Sequence, residues 1–326
     1  MTKLYYYNEN GEKVGISSTE EIKSLVARGI ITPQTSMETA AGRKGLAGQM
    51  PGLFPATQTE TDTDSPTEFL NETYKKASLL AMPLLKDKEF DYEAVIQRLR
   101  NHWGISIRHE DITSSSPSDQ TCVFNIAEHI VAMSLMPFRV PDGEFDSLFP
   151  VSLYWSNAEE DTALHQSHIV VFLRSEMGTA IERHSLFTKV IESILVETNS
   201  LGVYQGNQTL LISREIYLDM AQVLLANDKP LPLLLWIFIG MGQSPKGNTL
   251  YTFGLSGFEK LEMEIVDSQK DGEDLYSFLV DICSYVISND VTFTKGETVG
   301  HTEDVIATID ISKGICLDGE TIKLQM

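Results

Sequence analysis

Residues 56–68 of this chain, Ala-Thr-Gln-Thr-Glu-Thr-Asp-Thr-Asp-Ser-Pro-Thr-Glu, alternate threonine with acid and hold almost nothing apolar. A stretch of that kind cannot bury enough surface to offset the entropy of ordering it, so it divides the chain into separate folding units. The 326 residues then read as a small module at 1–55, an acidic Thr-rich linker at 56–72 and a larger domain at 73–326. As a coil the linker spans roughly 20 Å, which lets the module swing without wandering far.

Charge follows the same division. Residues 1–55 carry six Lys and Arg against five Asp and Glu, whereas residues from 69 onward carry 19 against 37 and supply most of the net −21. A field of that sign repels phosphate backbones and anionic lipid, so nucleic acid and membrane are not expected partners of the large domain. A basic protein or peptide is. No seven-residue apolar run follows Met1-Thr2-Lys3, which argues against a signal peptide. The longest apolar run, Leu231 to Gly242, is broken by Pro232 and reaches about half the length of a bilayer-spanning helix. Cys122, Cys283 and Cys316 are far apart, odd in number and set in apolar stretches, which points to reduced core thiols and a cytoplasmic location.

In the first module, Leu4-Tyr5-Tyr6-Tyr7 has the composition of a short strand, and Asn8 to Gly11 that of a turn. Ser18 and Glu21 have capping-box spacing, and Ile22, Leu25 and Val26 form a helical stripe that stops at Gly29. In a strand Tyr5 and Tyr7 share one face and Tyr6 takes the other, so either Tyr6 or the Tyr5 and Tyr7 pair can line a groove, while alternate rings fill the core.

This order of features, with Tyr5, Tyr6 and Tyr7, Gly11, Gly15, Gly29 with Ile31, and Thr35, resembles the bacterial variant of the GYF domain. Leu4 stands where that pattern has its first Trp, Ile16 where it has Pro, and Leu46 near its second Trp. The resemblance implies a peptide-binding surface at Tyr5, Tyr6, Tyr7 and Leu46, with proline-rich ligands.

Beyond Glu72 the periodicity predicts an α+β fold of mixed, mainly antiparallel sheet with long helices. Expected strands are Ala77–Leu85, Ile105–Arg108, Thr121–Ile126, Ile130–Met136, His168–Leu173, Leu233–Ile239, Leu250–Leu255 and Leu261–Val266; expected helices start at Tyr92, span Gly143–Trp155, and carry the stripes Ile181 to Leu195, Ile216 to Leu224 and Leu275 to Val286. Two rounds of this pattern, the second beginning at His168, suggest a duplicated β-α-β-β unit. The run His168-Ile-Val-Val-Phe-Leu173, the segment Thr252-Phe-Gly254-Leu255 with Phe258, Glu262 and Glu264, and Gly296-Glu-Thr-Val-Gly300 resemble the bacterial domain-of-unknown-function family 4261 over residues 77–310, and that family brings no activity with it.

Chemical motifs are sparse. Glu262 and Glu264 share one strand face and could serve carboxylate chemistry with His301 in a cleft; the same alternation with Leu261, Met263 and Ile265 describes a half-solvated edge strand. His165 and His168 lie three apart at the start of a strand, where they point to opposite faces, so no metal site is expected. Gly254-Leu-Ser256-Gly257 falls short of a nucleophile elbow, and Gly240 to Gly247 lacks the spacing and following helix of a phosphate loop, so no cofactor is expected. The leading expectation is a non-enzymatic protein-interaction or regulatory protein, adaptor-like at its N-terminal module and binding a partner through its acidic domain. The alternative is a hydrolase using Glu262, Glu264 and His301.

Overall fold

A computed structural model describes residues 4–8, 12–16, 19–28, 30–32, 35–39, 44–47, 78–116, 120–175, 177–226, 230–302 and 305–326. The linker expected at 56–72 lies outside them, as do Gly11, Ser18 and Gly29. The chain divides into two compact units, Met1–Ser65 and Pro66–Met326.

In the first unit, strands β1 (Leu4–Tyr7), β2 (Lys13–Ile16), β3 (Ser36–Thr39) and β4 (Lys44–Leu46) form an antiparallel sheet in the order β2-β1-β3-β4, and helix α1 spans Thr19–Ala27. Strand alternation decides which tyrosine is spent on the core. Tyr6 is buried with Ile16, Ile22, Ile31, Met37 and Ala47, and Leu25 and Val26 of α1 pack against them. Tyr5 and Tyr7 are half-buried. The Lys13 ammonium sits 4.4 Å from the Tyr5 ring centroid and 2.6 Å from Glu38, whose carboxylate also accepts from the Tyr7 hydroxyl.

The second unit opens with β5 (Ser78–Leu85), α2 (Tyr92–Asn101), β6 (Ile112–Ser116), β7 (Thr121–Ile126), β8 (His129–Met136), α3 (Ala158–Thr162), β9 (Ser167–Ser175), α4 (Ala180–Glu197), β10 (Ser200–Gln205), β11 (Leu210–Ser213) and α5 (Arg214–Ala221). Its seven strands pair antiparallel in the order β11-β10-β5-β9-β8-β7-β6. Helix α4 packs on β5, β9 and β10 and is flanked by α2 and α5. A capping box starts it: the Thr179 hydroxyl oxygen accepts from the Glu182 N–H at 3.2 Å, and the Glu182 carboxylate from the Thr179 N–H at 2.8 Å. On the opposite sheet face, Val140, Phe145, Leu148, Trp155 and Ala158 cover Leu84 and Leu211. His165 and His168 tie this covering segment down. His165 Nε2 accepts from the Val140 N–H at 2.9 Å, and His168 Nδ1 donates to the Phe138 carbonyl oxygen at 3.0 Å.

The remaining elements are α6 (Leu233–Trp236), β12 (Phe238–Ser244), β13 (Gly247–Phe253), β14 (Met263–Ser268), α7 (Gly272–Ser288), β15 (Thr298–Thr302), β16 (Val305–Lys313) and β17 (Glu320–Gln325). They build a six-stranded sheet, β12-β13-β14-β17-β16-β15, antiparallel except between β14 and β17. One apolar core runs through both sheets and the helices, from Leu79 to Leu324. The fold is α+β with mixed, mainly antiparallel sheets. A path is repeated in the structure, but its second copy begins at Met263 and not at His168, whose strand β9 is inserted into the first sheet: β5-α2-β6-β7-β8 and β14-α7-β15-β16-β17 each run a strand, a helix and a three-strand return, one strand more than the expected unit. In the first copy β9 separates β5 from β8; in the second β14 and β17 are direct neighbours.

Four local expectations are corrected. Residues 143–155 form turns and a 3-10 turn at Phe149–Val151, not a helix, because Pro150 supplies no N–H and Gly143 sits at φ 90°. Leu233–Ile239 is a four-residue helix followed by β12; an apolar run buried on all sides carries no period to tell strand from helix. Residues 105–108 belong to no strand and lead into a 3-10 turn at His109–Asp111. Cys316 is exposed, not a core thiol, because its loop turns its backbone inward.

Candidate functional site

The hairpin between β12 and β13 sets the geometry of the site. Gly247 adopts φ 141°, and a Cβ there would lie 2.4 Å from the Ser268 carbonyl oxygen, so only glycine lets β13 approach the end of β14. At that end a bulge puts Asp267 at φ 52° and breaks the register between Asn248 and Leu250. The strand thereby bends into the loop that leads to α7. Asn248 Nδ2 donates to the Lys270 carbonyl oxygen at 2.8 Å, and the Gln269 amide donates to that of Lys246, which pins this loop to the hairpin.

Glu264, the second residue of β14, is 1% exposed. Its cross-strand neighbours are Tyr251 on β13 and Lys323 on β17, and Asp310 on β16 lies beyond Lys323. The Lys323 ammonium is 2.7 Å from the Glu264 carboxylate. The same carboxylate accepts from the backbone N–H groups of Ile315, Cys316 and Leu317 at 3.0–3.2 Å. Burial by itself would raise the Glu264 pKa; the Lys323 bond, the Ile315 and Cys316 N–H groups and the Lys323 charge outweigh it and hold the group below its ordinary value. Asp310 is likewise held down by Lys295, 2.7 Å away. Both carboxylates are spent on structure.

Past the ends of the parallel strands β14 and β17, at the start of α7, lie two adjoining depressions of about 650 and 470 Å³ that share Lys270 and Met326. Asp271 caps α7 by accepting from the Glu273 N–H at 2.8 Å. The helix buries Leu275, Phe278, Leu279 and Ile282 and turns Asp274, Ser277, Asp281 and Tyr285 outward. Leu275, Phe278 and Met326 make an apolar floor, and Asp267, Asp271, Asp274 and Asp281 stand around it. Ile315 adds an apolar side chain 67% exposed at one wall. Of the two lysines in the lining, Lys323 is neutralised by Glu264 and Lys270 alone opposes the aspartates. The groove suits a cation carried beside an apolar group.

The residues singled out from sequence are distributed differently. Glu262 precedes β14 and is engaged elsewhere: it accepts from the Thr252 hydroxyl at 2.8 Å and from the N–H groups of Gly254 and Ser256 at 2.9 and 3.0 Å. Glu264 is neither solvated nor on an edge; the loop after β16 folds over it. His301 lies on β15, which β17 and β16 separate from β14, roughly 14 Å at ordinary strand spacing. Its side chain, like that of Leu46, lies outside the described residues, and Leu46 closes β4 opposite Ser36. Tyr6 belongs to the first unit's core, which leaves Tyr5 and Tyr7 as the outward pair. Sequence reasoning missed Asp274 and Asp281, although their seven-residue spacing opposite the stripe Leu275, Phe278, Ile282 marks an acidic helix face. Lys270, Lys323 and Met326 left no comparable signal. Among the described residues no group of three or more His, Cys, Asp or Glu is placed to hold a metal ion, and no helix is long and apolar enough to cross a membrane.

Residues 251–325 match the family model described as Domain of unknown function (DUF4261). The match is narrower than the 77–310 expected from sequence and leaves out His168–Leu173. It covers the end of β13 and everything through β17, and every residue lining the two depressions except Met326 lies within it. No curated protein and no solved structure matches the chain.

Proposed function

We propose that this is a non-enzymatic interaction protein whose larger unit binds a basic segment of another protein in the groove between α7 and the ends of β14 and β17. The observation that supports it is the ring of Asp267, Asp271, Asp274 and Asp281 around the floor of Leu275, Phe278 and Met326, with Lys270 the one cation not already paired in the described lining. Complementary charge speeds encounter and selects partners, while the apolar floor supplies the retention that exposed charges cannot. The hydrolase alternative draws no support from the geometry, since Glu262 and Glu264 are hydrogen-bonded apart and β15 lies beyond two intervening strands.

Residues 1–55 act in this reading as a GYF-like peptide-binding module with Tyr5 and Tyr7 as its platform, and the three free cysteines fit a reducing, cytoplasmic setting. The groove is tested by probing the full chain against an array of Lys- and Arg-bearing amphipathic peptides. Binding is expected to weaken tenfold or more between roughly 0.05 and 0.5 M salt, as screening shortens to a few ångströms. The double variant Asp274→Lys, Asp281→Lys is expected to lose it; unchanged binding by that variant removes the groove as the site. Loss of proline-rich peptide binding in Tyr5→Ala, Tyr7→Ala tests the first unit separately.

A further inference from the structure

Arg183, in the first turn of α4, is 8% exposed. Its guanidinium makes one hydrogen bond, from Nη2 to the Gly257 carbonyl oxygen at 3.3 Å, and its Nε has no partner among the described residues. Among the same residues no carboxylate lies within ion-pair distance. Glu182 is exposed and engaged with Thr179, and Glu259 acts on Arg183 only through space. A buried guanidinium has five donors and no way to lose its charge, so leaving the Nε–H of its Nε and Nη2 edge unmatched is costly. That edge is a fork of two parallel N–H groups, the shape that binds carboxylate or phosphate through two oxygens.

A second unmatched group faces the same backbone. His184 is buried, and its Nδ1 is 2.8 Å from the Ala180 carbonyl oxygen. A carbonyl only accepts, so Nδ1 carries the proton and Nε2 is a bare acceptor, also without a partner among the described residues. Nε2 lies 3.3 Å from where a Cβ of Gly257 would be, so it faces the residue whose carbonyl oxygen accepts from Arg183 Nη2. We infer that Arg183 and His184, over the Gly257 peptide, form a binding site for a compact oxyanion that also carries a hydroxyl hydrogen, as hydrogen phosphate or the monoanion of a phosphate monoester does. The fork donates to two oxygens and Nε2 accepts from the hydroxyl. The acidic field of the chain opposes long-range attraction, so recognition depends on contact. This site is independent of the groove: the 3-10 turn Leu255–Phe258 leads into the start of β14, and the groove lies past its end.

Thermal unfolding of the full chain in inorganic phosphate, acetate and chloride at matched ionic strength and pH tests the site. Phosphate is expected to raise Tm by about 2–4 °C in the wild type and in Glu259→Gln, acetate by less because it brings no hydroxyl, and the phosphate effect is expected to vanish in Arg183→Gln and shrink in Arg183→Lys. No rise in the wild type overturns the proposal. So does an equal rise in Arg183→Gln, or a rise confined to Glu259→Gln, which would show Glu259 filling the fork. If the Arg183 variants do not fold, the phosphorus resonance of phosphate is read instead: broadening by wild-type chain that acetate saturation removes supports the site, and no broadening overturns it.

Discussion

The seven-stranded and six-stranded halves of the large unit follow the same strand, helix and three-strand path, yet they finish differently. The first accepts β9 between β5 and β8, lays α2, α4 and α5 on one face and the segment through Trp155 on the other. The carboxylate at the centre of its helical layer is turned inward and consumed. Glu192, fully buried on α4, accepts from Arg98 Nε at 3.1 Å and from the Trp103 indole N–H at 2.8 Å. The second half accepts no extra strand, brings β14 directly against β17, and leaves the ends of those strands open beside α7. One path can therefore make a filled layer or an open groove, according to whether a covering segment is supplied.

The strongest way to break this contrast is to remove the buried charge that organises the open half. Glu264→Ala strands the Lys323 ammonium, 8% exposed, and three backbone N–H groups, and is expected to cost about 3–5 kcal/mol in denaturant unfolding. A loss under about 1 kcal/mol would mean that the open half is a loose surface with no fixed walls. Acid separates the halves next. Burial drives His184 from 6.5 down to about 4. As pH falls from 6.5 to 4 the unfolded histidine gains a proton that the folded one refuses, so stability drops across that window by about 3 kcal/mol. Glu264 behaves in the other direction of charge: its folded pKa is depressed, so its contribution is present above about 4.5 and lost only as pH falls through the lower folded value. Urea midpoints at several pH values for wild type and His184→Gln should show the upper window flattened in the variant and the lower one kept.

Glycines give a finer comparison. A Cβ on Gly202 in β10 would lie 2.4 Å from the Ile212 carbonyl oxygen and 2.5 Å from Trp155, whereas one on Gly242 in β12 meets nothing within 4 Å. Gly202→Ala is expected to lose about 1–3 kcal/mol and Gly242→Ala to stay within about 0.5 kcal/mol of wild type by calorimetry. Equal losses would mean that the space around these two glycines does not set their cost. The smallest effect belongs to the groove wall: Asp274→Asn with Asp281→Asn should move stability by no more than about 0.5 kcal/mol while weakening a basic peptide.

Periodic segments are legible in the sequence alone, and for a physical reason. Tyr92, Val95, Ile96 and Leu99, or Leu275, Phe278, Leu279 and Ile282, each bury one helical face against a sheet, so the pattern is the packing. Where burial is all-round, as at Leu233 to Trp236, no period survives. The groove is hidden for another reason. It joins the end of β14, the start of α7 and the end of β17, and nothing local in residues 264, 274 or 323 announces that register. Glu264 shows the cost of local reading most clearly: its alternation with Met263 and Ile265 has the pattern of a wet edge, while the loop that buries it comes some fifty residues later, at Ile315 to Leu317.

The parallel pairing of Met263 with Ile322 also sets an order of events. During synthesis β14, α7, β15 and β16 all leave the ribosome before β17, yet β17 is the strand that joins β14 to β16. Until it arrives the sheet is two separate ribbons with exposed edges, and pairing over so long a separation is slow. A half-made chain therefore holds no groove, and whatever the finished groove takes up must wait for the last strand.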